Sequence, residues 1–443
     1  ISMSKEENRK NFSKYVSQNI LGMIGFSCYV LADSYFISIA KGADGLTALN
    51  LVMPLYSIIF SIGEMIGVGS AIRYAISKIK KDADADDYFW NALIWCILSS
   101  MLFVFAGIFF SADIMRVLGA DEHIVAVGNN YTKIFMCFAP MFMCNYVTNA
   151  FVRNDGAPGI AMSATLFSSL FNIVFDYILM FPMNLGMEGA ALATALSPII
   201  GMGICSIHFF SKKSSVRLVV CKPSVRKLVA GCQLGVSAFV GEMSSAVITL
   251  AFNFVILKLA GNVGVAAYGV VANIAIVTTA VFNGVAQGSQ PLISSCFGRG
   301  DKDGCTQLKR MGYTTAFVLA AVMYSILFIF AGQFVAVFNS EGSEMLRLYA
   351  TEGVKLYFIG IFFAGINIVG GGAFSATEDA FKAAVVSVAR GFVLILGAVF
   401  VMSALFGMTG VWSSFPATEL ITAVVCVVFF ILKNNRMRKH NNI

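Results

Sequence analysis

The sequence predicts an all-α polytopic membrane protein, with twelve transmembrane helices in two six-helix lobes related by a pseudo-twofold axis. Its composition is 58% hydrophobic and 12% charged, with a mean hydropathy of +0.79. A soluble domain is about half apolar and about a quarter charged. Apolar runs of membrane-spanning length recur along the whole chain. The second half also repeats the pattern of the first, which indicates a duplicated helical bundle.

Each apolar run is long enough for one helix, since a hydrocarbon core of about 30 Å needs roughly 20 apolar residues. Helices are predicted at 13–40, 47–73, 87–111, 127–151, 159–184, 187–211, 228–258, 263–290, 311–334, 352–375, 381–405 and 408–432. The chain then divides into a cytoplasmic amino-terminal segment (1–12), an N lobe (13–211), a cytoplasmic linker (212–227), a C lobe (228–432) and a cytoplasmic tail (433–443).

Lysine and arginine are concentrated in alternate loops between the predicted helices. One set of loops and termini holds 23 of them and the other set holds six. Because cytoplasmic loops carry the excess of positive charge, the richer set and both termini are expected in the cytoplasm. This topology accounts for the net charge of +7 without a nucleic-acid partner. We therefore expect a multi-pass protein of the plasma membrane, the inner membrane of the cell.

An internal repeat relates the two predicted lobes. Residues 45–70 align without gaps on residues 264–289, 219 positions later, and residues 185–198 match residues 406–419, 221 positions later. Six helices per half is an even number, so both halves enter the membrane from the same side and the repeats are parallel. Rocking one lobe against the other would open a central cavity to alternate faces, as in many secondary transporters. A duplicated bundle without transport is the alternative.

Charged side chains at bilayer depth are costly and mark functional sites by default. The candidates are Asp33, Glu64, Asp176, Glu242, Arg390 and Glu419. Glu242 is expected to bind a cationic substrate, to carry a proton or to pair with Arg390. Glu64 is a candidate of the same kind, or an interfacial acid paired with Arg73 or another nearby basic residue. Glu419 is expected near the cytoplasmic side or the wall of the central cavity.

The stretch "FNIVFDY" at residues 171–177 places two polar side chains in one apolar run. Asn172 and Asp176 are four residues apart and share a helix face, with Cβ atoms roughly 5–6 Å apart. With Asp33 as a second carboxylate and Thr194 as a hydroxyl, they would supply oxygen ligands for Na+. The two acids could instead share a proton, because close carboxylates raise one pKa. The alternative is that each polar residue caps a helix break or bonds a neighbouring helix.

Three stretches carry a resemblance to a known family. They are "VLADSYFISIAKGADGLTALNLVMPLY" (30–56), "FVRNDGAPGIAMSATLFSSLFNIVFDYILMFPMNLGMEGAALATALS" (151–197) and "GVAQGSQPLISSCFGRGD" (284–301). They resemble the opening, the fifth-helix region and the second-half motif of MATE (multidrug and toxic compound extrusion) transporters, which belong to the MOP superfamily. The resemblance covers the whole chain, including the twelve helices and the six-plus-six repeat.

The resemblance implies drug export driven by entry of Na+ or protons. Asp33, Asn172, Asp176 and Thr194 match the amino-lobe cation site of the DinF-type and related bacterial branches. NorM-type members use acids in the carboxy-terminal lobe, where Glu242 lies in the corresponding seventh helix. The stretch "LYFIGIFFAGINIVGGGAF" (356–374) of the tenth helix has no carboxylate, and the chain also departs from the family at Ser38 and Glu64. These departures bear on the substrate more than on the fold.

The expected function is therefore secondary antiport of cationic or amphipathic small organic compounds against Na+ or H+. The partners expected are such a drug-like compound and the lipid bilayer, with no cofactor and a monomeric chain. The alternative within the superfamily is a flippase or exporter of a lipid-linked or other specific metabolite. A membrane-embedded enzyme would need a catalytic motif, and the sequence has no HExxH, GxSxG or P-loop.

Overall fold

The computed structural model describes residues 5–339 and 342–440, without the side chains at 43, 46, 262, 430 and 432–440. Within these residues all regular secondary structure is helical. Residues 1–4 of the predicted amino-terminal segment and residues 441–443 of the predicted tail lie outside this description. The protein is therefore an all-helical bundle over the described part of the chain.

Seven helices make up the first half of the chain. They are α1 Lys5–Gly42, α2 Thr47–Lys80, α3 Asp87–Val117, α4 Glu122–Cys137, α5 Ala139–Asn154, α6 Pro158–Met180 and α7 Gly186–Phe209. Side-chain caps start some of the helices, as at Asp121, whose carboxylate accepts the Ile124 amide at 2.9 Å. The helices α4 and α5 meet at a bend of 46° and form one broken span.

Eight helices make up the second half. They are α8 Val225–Gly261, α9 Val263–Gly298, α10 Lys302–Ile329, α11 Ala331–Phe338, α12 Glu344–Tyr357, α13 Ile361–Ala376, α14 Ala380–Val388 and α15 Leu394–His440. A 3-10 turn, Phe358–Gly360, joins α12 to α13, and a π-helical turn, Ala389–Val393, joins α14 to α15. Ser224 caps α8 by accepting the Lys227 amide, so this helix begins inside the predicted linker.

The described helices agree with twelve membrane spans. Ten are long and apolar enough to cross a membrane, and the bent pair α4–α5 makes an eleventh. The run Ala380–Phe429 counts once among the ten, but the backbone breaks inside it at Gly407 (φ 61°, ψ −136°). Its two arms correspond to the eleventh and twelfth predicted helices. The predicted run 311–334 differs, because one helix ends at Ile329 and another begins at Ala331.

Backbone breaks repeat at the offsets that the sequence alignment predicts. Gly42 (φ 58°, ψ −142°) and Gly261 (φ 65°, ψ −155°) are 219 positions apart and separate the first two helices of each half. Gly186 (φ 52°) and Gly407 (φ 61°), 221 positions apart, do the same for the last two helices. Positive φ at these points favours glycine. Each half is thus the same six-span unit.

Each half builds its own core. In the N lobe (residues 5–209) a buried cluster forms around the stacked rings of Tyr56 and Phe135, whose centroids are 3.6 Å apart. In the C lobe (residues 225–440) a second cluster forms around Trp412 and Phe252. Phe12 of α1 belongs to the C-lobe cluster. The lobes therefore have separate cores and meet through α1 and α2 on one side and α8 and α9 on the other.

We call the end of the bundle where Lys80, Arg299 and the linker lie the basic end. There the lobes meet at glycines. A Cβ on Gly69 of α2 would lie 1.9 Å from the carbonyl oxygen of Gly231 of α8. A Cβ on Gly235 of α8 would lie 2.0 Å from the carbonyl oxygen of Met65 of α2. On the other side of the interface, a Cβ on Gly284 or Gly288 of α9 would meet the α1 backbone at under 3.0 Å. The basic end is thus closed by direct backbone packing.

The linker is tied to the N lobe through Asp155, which follows α5. Its buried carboxylate is bonded to His208 Nε2 at 2.8 Å and accepts the Ser215 amide at 2.9 Å and the Ser214 hydroxyl at 3.1 Å. Ser215 Oγ also donates to Asp155. Trp90 Nε1 fixes the linker further along by donating to the Cys221 carbonyl at 2.8 Å. These bonds position the start of α8 against the N lobe.

Candidate functional site

The helices α6 and α7 bring three of the predicted polar residues together inside the N lobe. Asn172 and Asp176 are completely buried on one face of α6, and Thr194 of α7 is 1% exposed. Asn172 Nδ2 donates to Thr194 Oγ1 at 3.1 Å. With the amide turned over, Nδ2 donates to Asp176 Oδ2 at 3.1 Å and the amide oxygen accepts the Thr194 hydroxyl at 3.1 Å. In either orientation the amide lies between the carboxylate and the hydroxyl.

Asp33 completes the group from α1. It is 7% exposed, and its carboxyl group lies close to that of Asp176. One oxygen of each acid, Asp33 Oδ1 and Asp176 Oδ1, is buried without a hydrogen-bond partner. Such orphaned acceptors are costly inside a protein unless a cation or proton binds them. The four residues form what we call the acid-pair site.

The chemistry of the acid-pair site suits a proton or a hard monovalent cation. Carboxylate, amide and hydroxyl oxygens are hard ligands, and two adjacent carboxylates can share one proton. Over the described residues there is no group of three or more His, Cys, Asp or Glu side chains that could hold a metal ion. A cation at this site would therefore take two carboxylates and neutral oxygens as its ligands.

A cavity lies beside the acid-pair site; its wall is formed mainly by the N lobe, with two residues from the C lobe. It encloses about 1000 Å³ not occupied by protein atoms, including space open to solvent. Aromatic side chains form much of its wall; they are Phe26, Tyr29, Phe60, Phe142 and Tyr146. Tyr29 precedes Asp33 by one helical turn on α1, so this helix carries both a cavity residue and a member of the acid pair. Two carboxylates, Glu64 of α2 and Glu242 of α8, also line the cavity.

Glu64 is connected to the opposite lobe through an amide. Gln287 of α9 donates from Nε2 to Glu64 Oε1 at 3.3 Å, and its Oε1 accepts from Arg153 Nη1 at 2.9 Å. Arg153 is 4% exposed at the end of α5, and all three residues line the cavity. Arg153 is one of the 23 basic residues that the charge pattern places in the richer set of loops, and no sequence pattern marked Gln287. The sequence does place Arg153 four residues after Asn149, a spacing that puts both on one helix face. In the structure Arg153 Nη1 donates to Asn149 Oδ1 at 3.3 Å.

Arg390 and Glu419 lie apart from the cavity, inside the C lobe. Arg390 Nη2 lies 2.8 Å from Glu419 Oε1, and Asn367 Nδ2 donates to Glu419 Oε2 at 2.6 Å. The predicted alternative that Arg390 pairs with Glu242 is wrong, because its guanidinium is engaged by Glu419. Glu419 is likewise not a residue of the cavity wall described above. Glu242 and the Arg390–Glu419 pair are thus separate features.

Arg73 is also engaged elsewhere than predicted. Its Nη1 lies 2.5 Å from Glu378 Oε1 and its Nε donates to the Ala230 carbonyl at 2.9 Å, both in the C lobe. The predicted alternative that Arg73 neutralises Glu64 is therefore wrong. Arg73 instead joins the lobes at the basic end, and Glu64 faces the cavity.

Comparison with known proteins matches the sequence of this chain to a family. A sequence profile of the MatE family matches residues 19–178 and 238–401. Multidrug export protein MepA of Staphylococcus aureus (strain MRSA252) is 27% identical over 428 residues, which cover 94% of this chain and 92% of the relative. The protein of the same name from Staphylococcus saprophyticus is 26% identical over 425 residues, with the same coverage of 94% and 92%.

Solved structures share the fold. One described as the outward-facing conformation of a multidrug resistance MATE family transporter of the MOP superfamily superposes with a TM-score of 0.88 at 20% identity, over 98% of this chain and 97% of that one. A MATE crystal structure in complex with MaL6 superposes with a TM-score of 0.91 at 20% identity, over the same shares of 98% and 97%. At this identity the likeness shows the fold, including two lobes of six spans.

Proposed function

The chain belongs to the MatE family, and from that premise we propose that it exports cationic, amphipathic organic compounds in exchange for Na+ or H+. It is a multi-pass membrane protein and a secondary transporter rather than an enzyme. We further propose that the basic end faces the cytoplasm, because cytoplasmic loops carry the excess of lysine and arginine. Both termini would then be cytoplasmic, and the monomer would be the working unit.

The acid pair beside the cavity is the observation that carries this proposal. Asp33 and Asp176 are buried together with an unpartnered oxygen each, in a lobe whose α1 also contributes Tyr29 to the cavity wall. A cation bound at the pair would act on α1, the helix that also lines the substrate space. This shared helix supports coupling between the ion and the exported compound.

The cavity supports a cationic substrate with an apolar body. Glu64 and Glu242 provide negative charge, and Arg153 is the arginine that lines the same space. Aromatic faces attract cations through their quadrupoles, and methionines such as Met23 and Met162 in the wall adapt to different shapes. A pyrophosphate-linked lipid would need more cations than acids in the cavity, which disfavours the flippase alternative.

Exchange of the substrate for the ion then follows if the two lobes open the cavity to one side of the membrane and then to the other. With the basic end closed, as in this structure, the substrate leaves outward and a Na+ ion or proton enters the acid-pair site. Inward movement of one positive charge yields about 2.3 kcal/mol per 100 mV of membrane potential. That energy supports an outward gradient of roughly fiftyfold for a neutral substrate. For a monocationic substrate exchanged one for one, the charge carried outward cancels it, so the concentration gradient of Na+ or protons, or a second entering ion, must drive export.

Dye efflux from proteoliposomes tests the proposal. Vesicles holding the purified protein and a lipophilic monocationic dye are given an inward gradient of Na+ alone or of protons alone. We expect efflux above that of protein-free vesicles under at least one gradient, and its loss when an ionophore removes that gradient. Equal efflux with and without each gradient would exclude antiport.

A further inference from the structure

The bridge Arg153–Gln287–Glu64 crosses from one lobe to the other and returns. Arg153 and Glu64 belong to α5 and α2 of the N lobe, whereas Gln287 belongs to α9 of the C lobe. The amide of Gln287 accepts from the cation at 2.9 Å and donates to the carboxylate at 3.3 Å. An amide is suited to this position because its oxygen and nitrogen meet opposite charges. No direct ion pair is needed to hold the two charges near one another.

Gln287 lies in the part of α9 that packs directly on α1. Its neighbours Gly284 and Gly288 are the glycines whose Cβ atoms would clash with the backbone of Ile20 and Val16. When the lobes separate at the basic end, this contact must open, and Gln287 must move away with α9. The bridge therefore exists only while the basic end is closed.

The guanidinium of Arg153 is not fully bonded in the bridge. Its Nη1 also reaches Asn149 Oδ1 at 3.3 Å on its own helix, while its Nε has no hydrogen-bond partner. Buried polar groups of this kind are unusual, and a charged one is the most costly. Without Gln287, Arg153 keeps Asn149 as a partner, whereas Glu64 loses the one side-chain donor that the structure gives it.

We propose that Gln287 makes the cavity's affinity for a cation depend on the position of the lobes. This inference rests on the proposed export of cationic compounds and names the residues that change the affinity of the cavity for them between the two states. With the basic end closed, Gln287 holds the positive charge of Arg153 beside Glu64, which weakens the attraction of the cavity for a cationic compound and favours its release. With the basic end open, Glu64 is free of the bridge and takes the cation up.

Charge-selective binding to the purified protein in detergent is the first test. Removing the Arg153 charge by Arg153→Gln should tighten binding of a monocationic dye about fivefold or more, the low end of typical coupling between sites. A neutral compound of similar size should bind unchanged. Gln287→Leu should act in the same direction, and Gln290→Leu, the same change three residues later on α9, should have no effect. In an Arg153→Gln background, Gln287→Leu should not tighten binding of the monocationic dye any further.

Transport by the same variants gives the second readout. Tighter retention should lower the turnover of the cationic dye while lowering its KM, whereas a merely structural role would lower turnover for neutral and cationic compounds alike. The inference would be overturned if the variants changed turnover equally for the cationic and the neutral compound, or if Arg153→Gln bound the cationic dye more weakly. It would also be overturned if Gln287→Leu changed dye binding as much in a Glu64→Gln background as in the wild type. Failure of the wild-type protein to respond to any ion gradient would contradict antiport instead, and the binding comparison would still decide the role of the bridge.

Discussion

Glu378 and Arg73 join the two lobes at the basic end, with Glu378 Oε1 2.5 Å from Arg73 Nη1. Glu378 follows α13 with a positive φ of 56°, whereas the corresponding residue of the first half, 222 positions earlier, is Gly156 with φ 87°. A non-glycine residue in this region is strained by roughly 1 kcal/mol or more. The second half thus keeps a carboxylate at a position where the backbone favours glycine, and that carboxylate reaches the opposite lobe.

Replacing Glu378 with glycine should loosen the closed basic end without harming the fold. The backbone strain is relieved, but the ion pair is lost; such half-exposed pairs contribute about 1 kcal/mol or less. The open population should then rise at most about fivefold. The rate of maleimide labelling at Ser70→Cys, which faces Gly231 across the closed lobes, measures this in a background without the native cysteines. A labelling rate equal to that of the parent would show that the pair does not hold the lobes.

Two glycines of α8 should respond differently to alanine. A Cβ on Gly235 would lie 2.0 Å from the Met65 carbonyl oxygen, whereas a Cβ on Gly241 meets nothing within 4 Å. Gly235→Ala should therefore prevent closure and reduce transport about tenfold or more, while the protein still folds because each lobe has its own core. Gly241→Ala is the matched control and should transport normally. Equal transport by the two variants would mean that close backbone packing is not required for the cycle.

The buried pair Arg390–Glu419 should matter for stability as a unit. Removing one partner of a buried ion pair costs about 3–5 kcal/mol because the other charge is left uncompensated. Arg390→Leu should therefore lower the thermal unfolding temperature of the detergent-solubilised protein. The double variant Arg390→Leu with Glu419→Leu should recover much of that loss. If the double variant is less stable than either single one, the pair is not mutually compensating.

The hydroxyl of Thr194 should contribute to ion coupling but not to substrate binding. Thr194→Val keeps the shape of the side chain and removes the group that bonds Asn172. A hydrogen bond of this kind contributes about 1 kcal/mol, so the half-saturating concentration of the coupling ion should rise about fivefold. Thr194→Ser is the control that keeps the hydroxyl. Dye binding in detergent should be the same for both, and a changed dye affinity in Thr194→Val alone would contradict the separation of the two sites.

Much of the architecture could be predicted because it follows from local patterns. Span length follows from the hydrocarbon thickness, and the repeat in residues 45–70 and 264–289 predicted offsets that reappear as backbone breaks at Gly42 and Gly261. Asn172 and Asp176 stood out because polar groups four residues apart in an apolar helix are costly to bury unless they bind a partner. The structure places them with Asp33 and Thr194, and their role in ion binding remains a prediction.

The contacts between lobes could not be predicted, because they have no periodic signal. Gln287 lies 134 positions from Arg153 and 223 from Glu64, and only the packing of α9 against α1 brings them together. Helix ends outside the apolar core were also missed. The helix α12 begins at Glu344 rather than 352, because its amphipathic first turns start at the Ser343 cap and lie before the apolar run.

Ion-driven efflux by acid-pair variants tests the central claim most directly. Asp33→Asn and Asp176→Asn keep the shape of each side chain and remove its charge, and Asp113→Asn on the exposed end of α3 is the matched control. In proteoliposomes loaded with a monocationic dye, we expect Asp113→Asn to respond to the imposed Na+ or proton gradient as the wild type does. Asp33→Asn and Asp176→Asn should bind the dye but show no gradient-driven efflux. Wild-type efflux by both acid-pair variants under each gradient would contradict the account.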